Sequence, residues 1–245
     1  MRLDGPPFNF RFSKSTDRFS FERRMNSFDD LRIAPKRNQS FGEEIANSIS
    51  HGVGFVAALI GTPILLVAAL DHRNSGFFAG TIVFAATLLA LYLGSTLYHA
   101  WPNTRTKGLL RLFDHCAIFF LIAGTYTPFA LGPLRGTIGS TMLGFVWALA
   151  LFGVILKATL GTSRASKLAM ALYLGIGWFA LLFIRPVILA VPLSAILWLL
   201  AGGIAYTTGV LFFVNERLRY SHFVWHLFVL TGSSCHFLAV LACAS

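Results

Sequence analysis

The stretch "SHFVWHLFVLTGSSCHFLAVLAC", residues 221–243, is apolar along most of its length and contains no Asp, Glu, Lys or Arg. A helix needs about 20 predominantly apolar residues to cross the hydrocarbon core of a bilayer. The stretch therefore predicts a transmembrane helix. Its first two turns carry two histidines four residues apart, His222 and His226. These need a separate explanation, because ionisable side chains are costly inside a membrane.

Six further apolar segments precede this one. Together the seven lie at about 45–70, 76–99, 112–132, 137–156, 168–184, 190–214 and 221–243. In a bilayer every backbone amide must find its hydrogen bond inside the protein, so runs of this length are helices. The composition agrees, since 56% of the chain is hydrophobic and 12% is charged, against about 25% charged in a soluble domain. The sequence predicts an all-α membrane protein, a bundle of seven transmembrane helices.

The lysines and arginines predict the orientation of this bundle. Of the 20, seventeen lie in residues 1–40 and in the loops after the second, fourth and sixth segments. The other three, Arg73, Arg135 and Arg185, lie in the loops on the opposite side. The side rich in Lys and Arg is normally cytoplasmic, which places the N-terminus inside the cell and the C-terminus outside. Because the basic residues flank membrane segments, the net charge of +10 indicates a lipid bilayer as partner and no nucleic acid.

Residues 1–40 differ from the rest of the chain. They hold nine Lys/Arg and five Asp/Glu without a sustained apolar run, which is typical of a mostly disordered segment. We expect a basic cytoplasmic tail at 1–40 and a seven-helix domain at 41–245. The three cysteines, Cys116, Cys235 and Cys243, lie in apolar segments without a CxxC pattern, so we interpret them as packing residues and not as metal ligands.

A few polar residues interrupt the apolar segments. Asp114 is the one acidic residue within such a segment, about two residues from its start. An ionisable group there suggests a functional site, although a carboxylate reaching back to Arg111 at the membrane edge is the alternative. His99 ends the second segment, and Ser95 lies one helical turn before it on the same face.

The predicted topology brings these residues to one depth in the membrane. The second helix ends at the cytoplasmic side with His99, and the third begins there with Asp114. The seventh helix also begins there, with His222 and His226. Two histidines at positions i and i+4 can direct both rings at one metal ion. We therefore predict a metal site, shared by three helices, at the cytoplasmic edge of the membrane.

The remaining histidines fit this site less well. His72 lies in an outer loop and is expected to be solvated. His115 points about 100° away from its predecessor around the helix. His236 lies about 21 Å along the axis from the start of its segment, so we interpret it as a polar residue in a cavity or a hydrogen-bonded packing residue. For His51, in the first segment, we expect a hydrogen bond between helices, with support of the metal site as the alternative.

These residues, in this order, resemble the haemolysin III family. The matching motifs are "EEIANSISHG" at 43–52, SxxxH at 95–99, "FDHCAIFFLIAGTYTPF" at 113–129 and "SHFVWH" at 221–226. The resemblance covers about residues 41–240. This family is similar to the progestin and adipoQ receptors, the adiponectin receptors among them. It lies in a wider superfamily that includes alkaline ceramidases.

The resemblance implies a zinc ion bound by His99, His222 and His226. It also implies that Asp114 holds the zinc-bound water instead of binding the metal directly, and that Ser95 supports the site from behind the ligands. The seven-helix fold with a cytoplasmic N-terminus is the family's as well. The superfamily is regarded as metal-dependent lipid hydrolases, and the haemolysin name reflects a cytolytic activity attributed to bacterial members. A multi-pass location in the bacterial inner membrane follows from the same resemblance.

We therefore expect a zinc-dependent hydrolase of a membrane lipid, with an amide such as ceramide as first choice and an ester as second. Zinc lowers the pKa of a bound water to about 7. Asp114 would act as general base, and Ser95 would orient His99 or donate to the oxyanion. Two alternatives are a receptor or sensor for a lipid ligand with structural zinc, and a pore-forming cytolysin. The lack of an amphipathic pore-lining stripe favours the hydrolase over the pore.

Overall fold

The structure is a computed structural model that describes residues 39–102, 104–164, 166–215 and 217–244. These residues form helices, with no strand among them. The α-helices are α1 (Phe41–Asp71), α2 (Ser75–Ala100), α3 (Arg105–Leu131), α4 (Thr137–Arg164), α5 (Ser166–Gly177), α6 (Ile184–Ala190), α7 (Leu193–Val214) and α8 (Ser221–Ala244). A short 3-10 helix, Phe179–Phe183, joins α5 to α6. The predicted tail lies outside the described residues, apart from its last two.

Seven helical spans in the described part of the chain are long and apolar enough to cross a membrane. Six of them lie in α1, α2, α3, α4, α7 and α8. The remaining span, Lys167–Ala190, combines most of α5 with the 3-10 helix and α6. The predicted fold class, a seven-helix membrane bundle, is confirmed. The orientation of its termini stays a prediction.

The helix boundaries differ from the apolar segments in two places. The third helix begins at Arg105, seven residues before the predicted start. The prediction missed this extension because the first two turns are polar and hydropathy does not detect them. The fifth span continues to Ala190 and not only to residue 184. It ends where Val191 adopts an extended backbone before Pro192, since a residue that precedes proline is disfavoured in the helical conformation. The sixth apolar segment therefore begins its helix at Leu193.

The helices form a closed ring. Each packs against the next one along the chain, with the 3-10 helix between α5 and α6, and α8 returns to pack against α1. Close approach of α2 and α3 requires a residue without a side chain at Gly80, because a Cβ there would lie 2.5 Å from the Cα of Pro128. This ring brings the start of α8 beside the start of α1 and the end of α2.

The polar and apolar side chains are distributed as in a membrane protein. Large apolar residues of α1 such as Val53, Ile60 and Val67 face outwards and are more than half exposed. Several polar residues are buried inside the ring instead. Those near one end of it are Glu43, Asn47, Ser50, His51, Ser95, His99, Asp114, Ser221 and His226. Water would not favour this arrangement, whereas a lipid environment does.

Candidate metal centre

Three histidines form a cluster at this end of the bundle. His99 comes from the last turn of α2, and His222 and His226 come from the first two turns of α8. One ligand nitrogen of each ring lies within 4.8 Å of those of the other two. His99 and His226 are buried, and His222 is half-buried. The structure thus brings together the three residues that the sequence predicted as metal ligands.

The tautomer of His99 is determined by Glu44, from the first turn of α1. Nδ1 of His99 lies 2.8 Å from Oε2 of Glu44. A carboxylate oxygen accepts, so Nδ1 carries the proton and Nε2 presents its lone pair. Nε2 is buried and has no hydrogen-bond partner among the described residues. The other carboxylate oxygen of Glu44 accepts from Nζ of Lys107 at 3.1 Å, which connects α1 to the first turn of α3.

The tautomer of His226 is determined by α1 as well. Its Nδ1 lies 3.2 Å from the backbone carbonyl of Asn47 and 3.1 Å from the hydroxyl of Ser50. The Ser50 hydroxyl itself donates to the Asn47 carbonyl at 2.8 Å. Since a carbonyl only accepts, Nδ1 of His226 is the protonated nitrogen. Its Nε2 is therefore available as a ligand, as in His99.

This donor set fits a zinc ion. Zinc prefers nitrogen ligands from neutral imidazoles, and metal-binding histidines commonly donate their other N–H to a carboxylate or a backbone carbonyl. His99 does the first and His226 does the second. A buried nitrogen without a partner, such as Nε2 of His99, is rare in folded proteins, and a bound cation would satisfy it. His99, His222 and His226 are the residues that would hold the ion.

Asp114 and Ser95 lie beside the histidines without joining the ligand cluster. Asp114 is 7% exposed and lines the same cavity as His222. Its Oδ2 lies 3.7 Å from Nδ1 of His115. The Arg111 guanidinium also acts on the carboxylate electrostatically, without an ion pair of 4.0 Å or less among the described residues, so the alternative of an edge carboxylate reaching back to Arg111 stays a prediction.

Ser95 does not orient His99, contrary to one of the expected roles. The residue is buried and lines the cavity, and its hydroxyl interacts with the carboxylate of Asp114 on α3 and not with His99. Glu44 orients His99 instead, because its carboxylate reaches across from α1. The hydroxyl of Ser95 therefore lies beside the Asp114 carboxylate in the polar part of the cavity wall.

His51 behaves differently from the expectation of a hydrogen bond between helices. Both of its ring nitrogens lack a partner in the part of the chain that the structure describes. The ring stacks on that of His226, with centroids 3.6 Å apart and planes 9° from parallel. It also meets the ring of Tyr92 edge-on at 5.2 Å. His51 thus supports the cluster by packing against a ligand ring, and His72 is exposed outside the site as predicted.

A hydrogen bond joins the start of α8 to α1, and the residue that forms it has an unusual backbone conformation. Tyr220, the residue before the helix, has φ of 59°, a region that costs a residue with a side chain about 1 kcal/mol. Its N–H donates to Oε1 of Glu43 at 2.8 Å. Glu43 also closes a capping box with Ser40 at the start of α1. This contact joins the helix that supplies Glu44, Asn47 and Ser50 to the helix that supplies two of the ligands.

Sequence analysis missed Glu44, Asn47 and Ser50 as residues that orient the ligands. A signal was present in "EEIANSISHG", because Glu44, Asn47 and His51 recur at intervals of three and four residues at the start of a largely apolar helix. That spacing places them on one face. It does not show which partner the face meets.

A cavity of about 460 Å³ extends from the cluster into the bundle. Polar residues at one end of it include His51, Ser95 and Asp114. The rest of the wall is formed mainly by apolar side chains. They include Ile118, Leu121, Phe129, Val187, Val191, Leu199 and Val229. This volume is in the range of ligand sites, and the apolar wall suits a hydrocarbon chain.

A seven-helix bundle with a buried three-histidine cluster at the polar end of an apolar cavity defines an integral membrane protein with a candidate metal site. The chain belongs to the haemolysin III family, since the family model described as Haemolysin-III related matches residues 39–237. It is 39% identical to a Hemolysin-3 homolog of Bacillus subtilis (strain 168) over 199 residues, which cover 81% of this chain and 93% of that protein.

Two further relatives support this assignment. Hemolysin-3 of Bacillus cereus is 39% identical over 206 residues, covering 84% of this chain and 94% of the relative. Monocyte to macrophage differentiation factor of Homo sapiens is 28% identical over 207 residues, covering 81% and 83%. The resemblance to haemolysin III is confirmed. Together with the seven apolar spans, the bacterial relatives assign the chain to the multi-pass proteins of the bacterial cell membrane.

Proposed function

We propose that this protein is a zinc-dependent hydrolase that cleaves an amide or ester bond in a membrane lipid, as a ceramidase does. The observation that carries the proposal is the position of the three-histidine cluster at the polar end of an apolar cavity. A lipid whose scissile bond lies next to its head group matches this division. The polar part would lie beside the histidines, and the hydrocarbon chain would occupy the cavity.

The histidines would hold zinc, which when bound lowers the pKa of water to about 7 and polarises a carbonyl group. Asp114 does not belong to the group of ligand atoms within 4.8 Å of one another. Its carboxylate nevertheless opens on the same cavity. From there it would orient an attacking water and accept its proton, which is the role of a general base.

Ser95 supplies a hydrogen-bond donor at the same end of the cavity. Its hydroxyl is buried beside the carboxylate of Asp114, and from there it would donate to the oxygen of the scissile carbonyl. Donors aimed at the position where negative charge develops stabilise the transition state strongly. An amide is the preferred substrate and an ester the second choice. If the predicted orientation holds, cleavage takes place at the cytoplasmic edge of the membrane.

The decisive experiment is Asp114→Asn. Asparagine keeps the shape of the side chain and one acceptor oxygen but cannot take a proton at neutral pH, so we expect hydrolysis to fall about 10²–10⁴-fold. Zinc content and melting temperature should stay close to wild type because three histidines still hold the ion. Release of fatty acid from a panel of lipid amides and esters gives the rate, and zinc is determined on the same samples. Asp71→Asn, an exposed carboxylate at the other end of α1, is the matched control.

The same pair of proteins, wild type and Asp114→Asn, also tests the role of Asp114 and the two alternative functions, a receptor and a cytolysin. If the asparagine variant loses its zinc, Asp114 is a direct ligand and its proposed role is wrong. A receptor with structural zinc predicts binding of a lipid without product from the wild-type protein. The name Hemolysin-3 of two relatives suggests a cytolysin. For that function we expect leakage of dye from liposomes that is equal in wild type and Asp114→Asn.

A further inference from the structure

His236 is a second polar position in the wall of the cavity, far from the metal ligands. It lies on α8 ten residues after His226, which is roughly 15 Å along the helix axis. Its Nε2 lies 3.3 Å from the backbone carbonyl of Leu199 on α7. The ring of Tyr206 meets it edge-on at 5.3 Å. His236 and Tyr206 both line the cavity.

These contacts determine which nitrogen of His236 carries the proton. The carbonyl of Leu199 only accepts, so Nε2 is the donor and Nδ1 of the neutral ring is a bare acceptor. Nδ1 is buried and has no hydrogen-bond partner among the described residues. An unpaired buried acceptor is destabilising, so the folded protein needs a donor at this position.

The neighbouring helix leaves room for this ring. A Cβ on Gly202 of α7 would lie 2.5 Å from Nε2 of His236 and 2.9 Å from the carbonyl oxygen of Gly232. A side chain at position 202 would therefore displace the imidazole. The glycine lets α7 and α8 approach closely while the ring stays between them, so the position of His236 is built by both helices.

Other polar groups nearby already have partners. Thr207 donates to the carbonyl of Gly203 at 2.7 Å and accepts from Nε1 of Trp178 at 3.0 Å. By contrast, Nδ1 of His236 lacks a partner in a stretch of wall formed with Leu199 and other apolar residues. The missing donor is therefore best supplied by a molecule inside the cavity.

We propose that the cavity binds an amphiphile with a hydroxyl group on its hydrocarbon chain, and that this hydroxyl donates to Nδ1 of His236. This inference rests on the proposed function, because it assumes that the polar head of the lipid lies at the histidine cluster. The distance between His226 and His236 then places the hydroxyl roughly 15 Å from the head group. The protein is thereby selective for chains hydroxylated near the middle over unsubstituted chains.

Binding of free fatty acids to the purified, zinc-loaded protein in detergent tests this selectivity. The probes are octadecanoic acid and two of its hydroxy derivatives, which are isomers of each other. The mid-chain isomer has its hydroxyl about a dozen carbons from the carboxyl group, which matches the separation along α8, and the other has its hydroxyl next to the carboxyl. Displacement of a fluorescent fatty acid gives each affinity. For wild type we expect the mid-chain isomer to bind about 3- to 10-fold more tightly than octadecanoic acid, the gain typical of one hydrogen bond.

Three variants assign the effect to Nδ1. His236→Phe and His236→Leu both remove the acceptor. Phenylalanine keeps a ring and leucine does not, so a folding defect in one variant leaves the other for the test. Both should bind octadecanoic acid as wild type does and lose the preference for the mid-chain isomer. His236→Asn places an amide oxygen close to the position of Nδ1 and should keep part of the preference. His72→Phe, outside the site, should keep all of it.

Each outcome either supports the inference or overturns it. Equal affinity of wild type for octadecanoic acid and for the mid-chain hydroxy acid overturns it, and a buried water then satisfies Nδ1. A preference that survives in His236→Phe and His236→Leu also overturns it. In both cases the fatty acids still bind, so the proposed function stands. If no fatty acid binds to wild type, the lipid cavity of the proposed function is wrong together with this inference.

Discussion

Replacing Glu44 by alanine should weaken zinc binding without removing a ligand. Glu44 accepts the Nδ1–H of His99 at 2.8 Å, and such a bond to a charged group contributes about 1.5–3 kcal/mol. The Glu44 side chain is 22% exposed, so solvent reduces the contribution and we take the lower value. About 1.5 kcal/mol corresponds to a roughly tenfold loss of affinity. That is the lower end of the 10- to 100-fold loss usual for residues that orient a metal ligand.

The physical reason is the freedom that His99 gains. Without the carboxylate, its imidazole can rotate and exchange tautomers, and Nε2 no longer carries the lone pair all the time. Glu44→Gln keeps an oxygen that accepts from Nδ1 but loses the charge, so we expect a smaller loss than for alanine. Lys107→Met removes the 3.1 Å ion pair with Glu44, together with the contacts of Nζ to the Trp101 carbonyl and to the Tyr98 ring. It leaves the bond between Glu44 and His99 in place, so it should change the affinity less than either substitution of Glu44.

Competition for zinc against a fluorescent chelator measures these affinities, with melting temperature recorded on the same samples. The order of affinity should be wild type, Lys107→Met, Glu44→Gln and then Glu44→Ala. Wild-type affinity in Glu44→Ala would refute the reasoning, because it would mean that the position of His99 is fixed without its carboxylate partner. If Glu44→Gln and Glu44→Ala lost zinc affinity equally and both had a much lower melting temperature, the role of Glu44 would be in folding instead.

Two further predictions concern the ligands and the orientation of the bundle. Purified protein should contain about one zinc per chain, the double variant His222→Ala/His226→Ala should lose it, and His72→Ala should keep it. Full zinc content in the double variant, measured by elemental analysis, would remove both histidines from the site. A topology reporter fused after Ser245 should be active outside the cytoplasm, and one inserted in residues 101–108 should be active inside. Reporters that give the same side would contradict seven crossings.

Much of the fold was predictable because each membrane span is determined by the residues within it. Each span depends on about 20 consecutive apolar residues, and that information lies within the segment itself. The same locality explains the pair His222 and His226, since a separation of four residues places them on one face of any helix. The predicted count of spans was right, whereas the polar extension from Arg105 was missed because it lies outside the apolar run.

The surroundings of the ligands depended on tertiary structure. The sequence places Glu44, Asn47 and His51 on one face of α1, but only the packing of α1 against α2 and α8 shows what that face meets. Glu44 meets His99 on α2, and the Asn47 carbonyl meets His226 on α8. These contacts determine the tautomers of the ligands, which no local pattern encodes. Hydropathy and helical period describe one helix at a time, whereas the rotation and separation of neighbouring helices are decided by side chains from both.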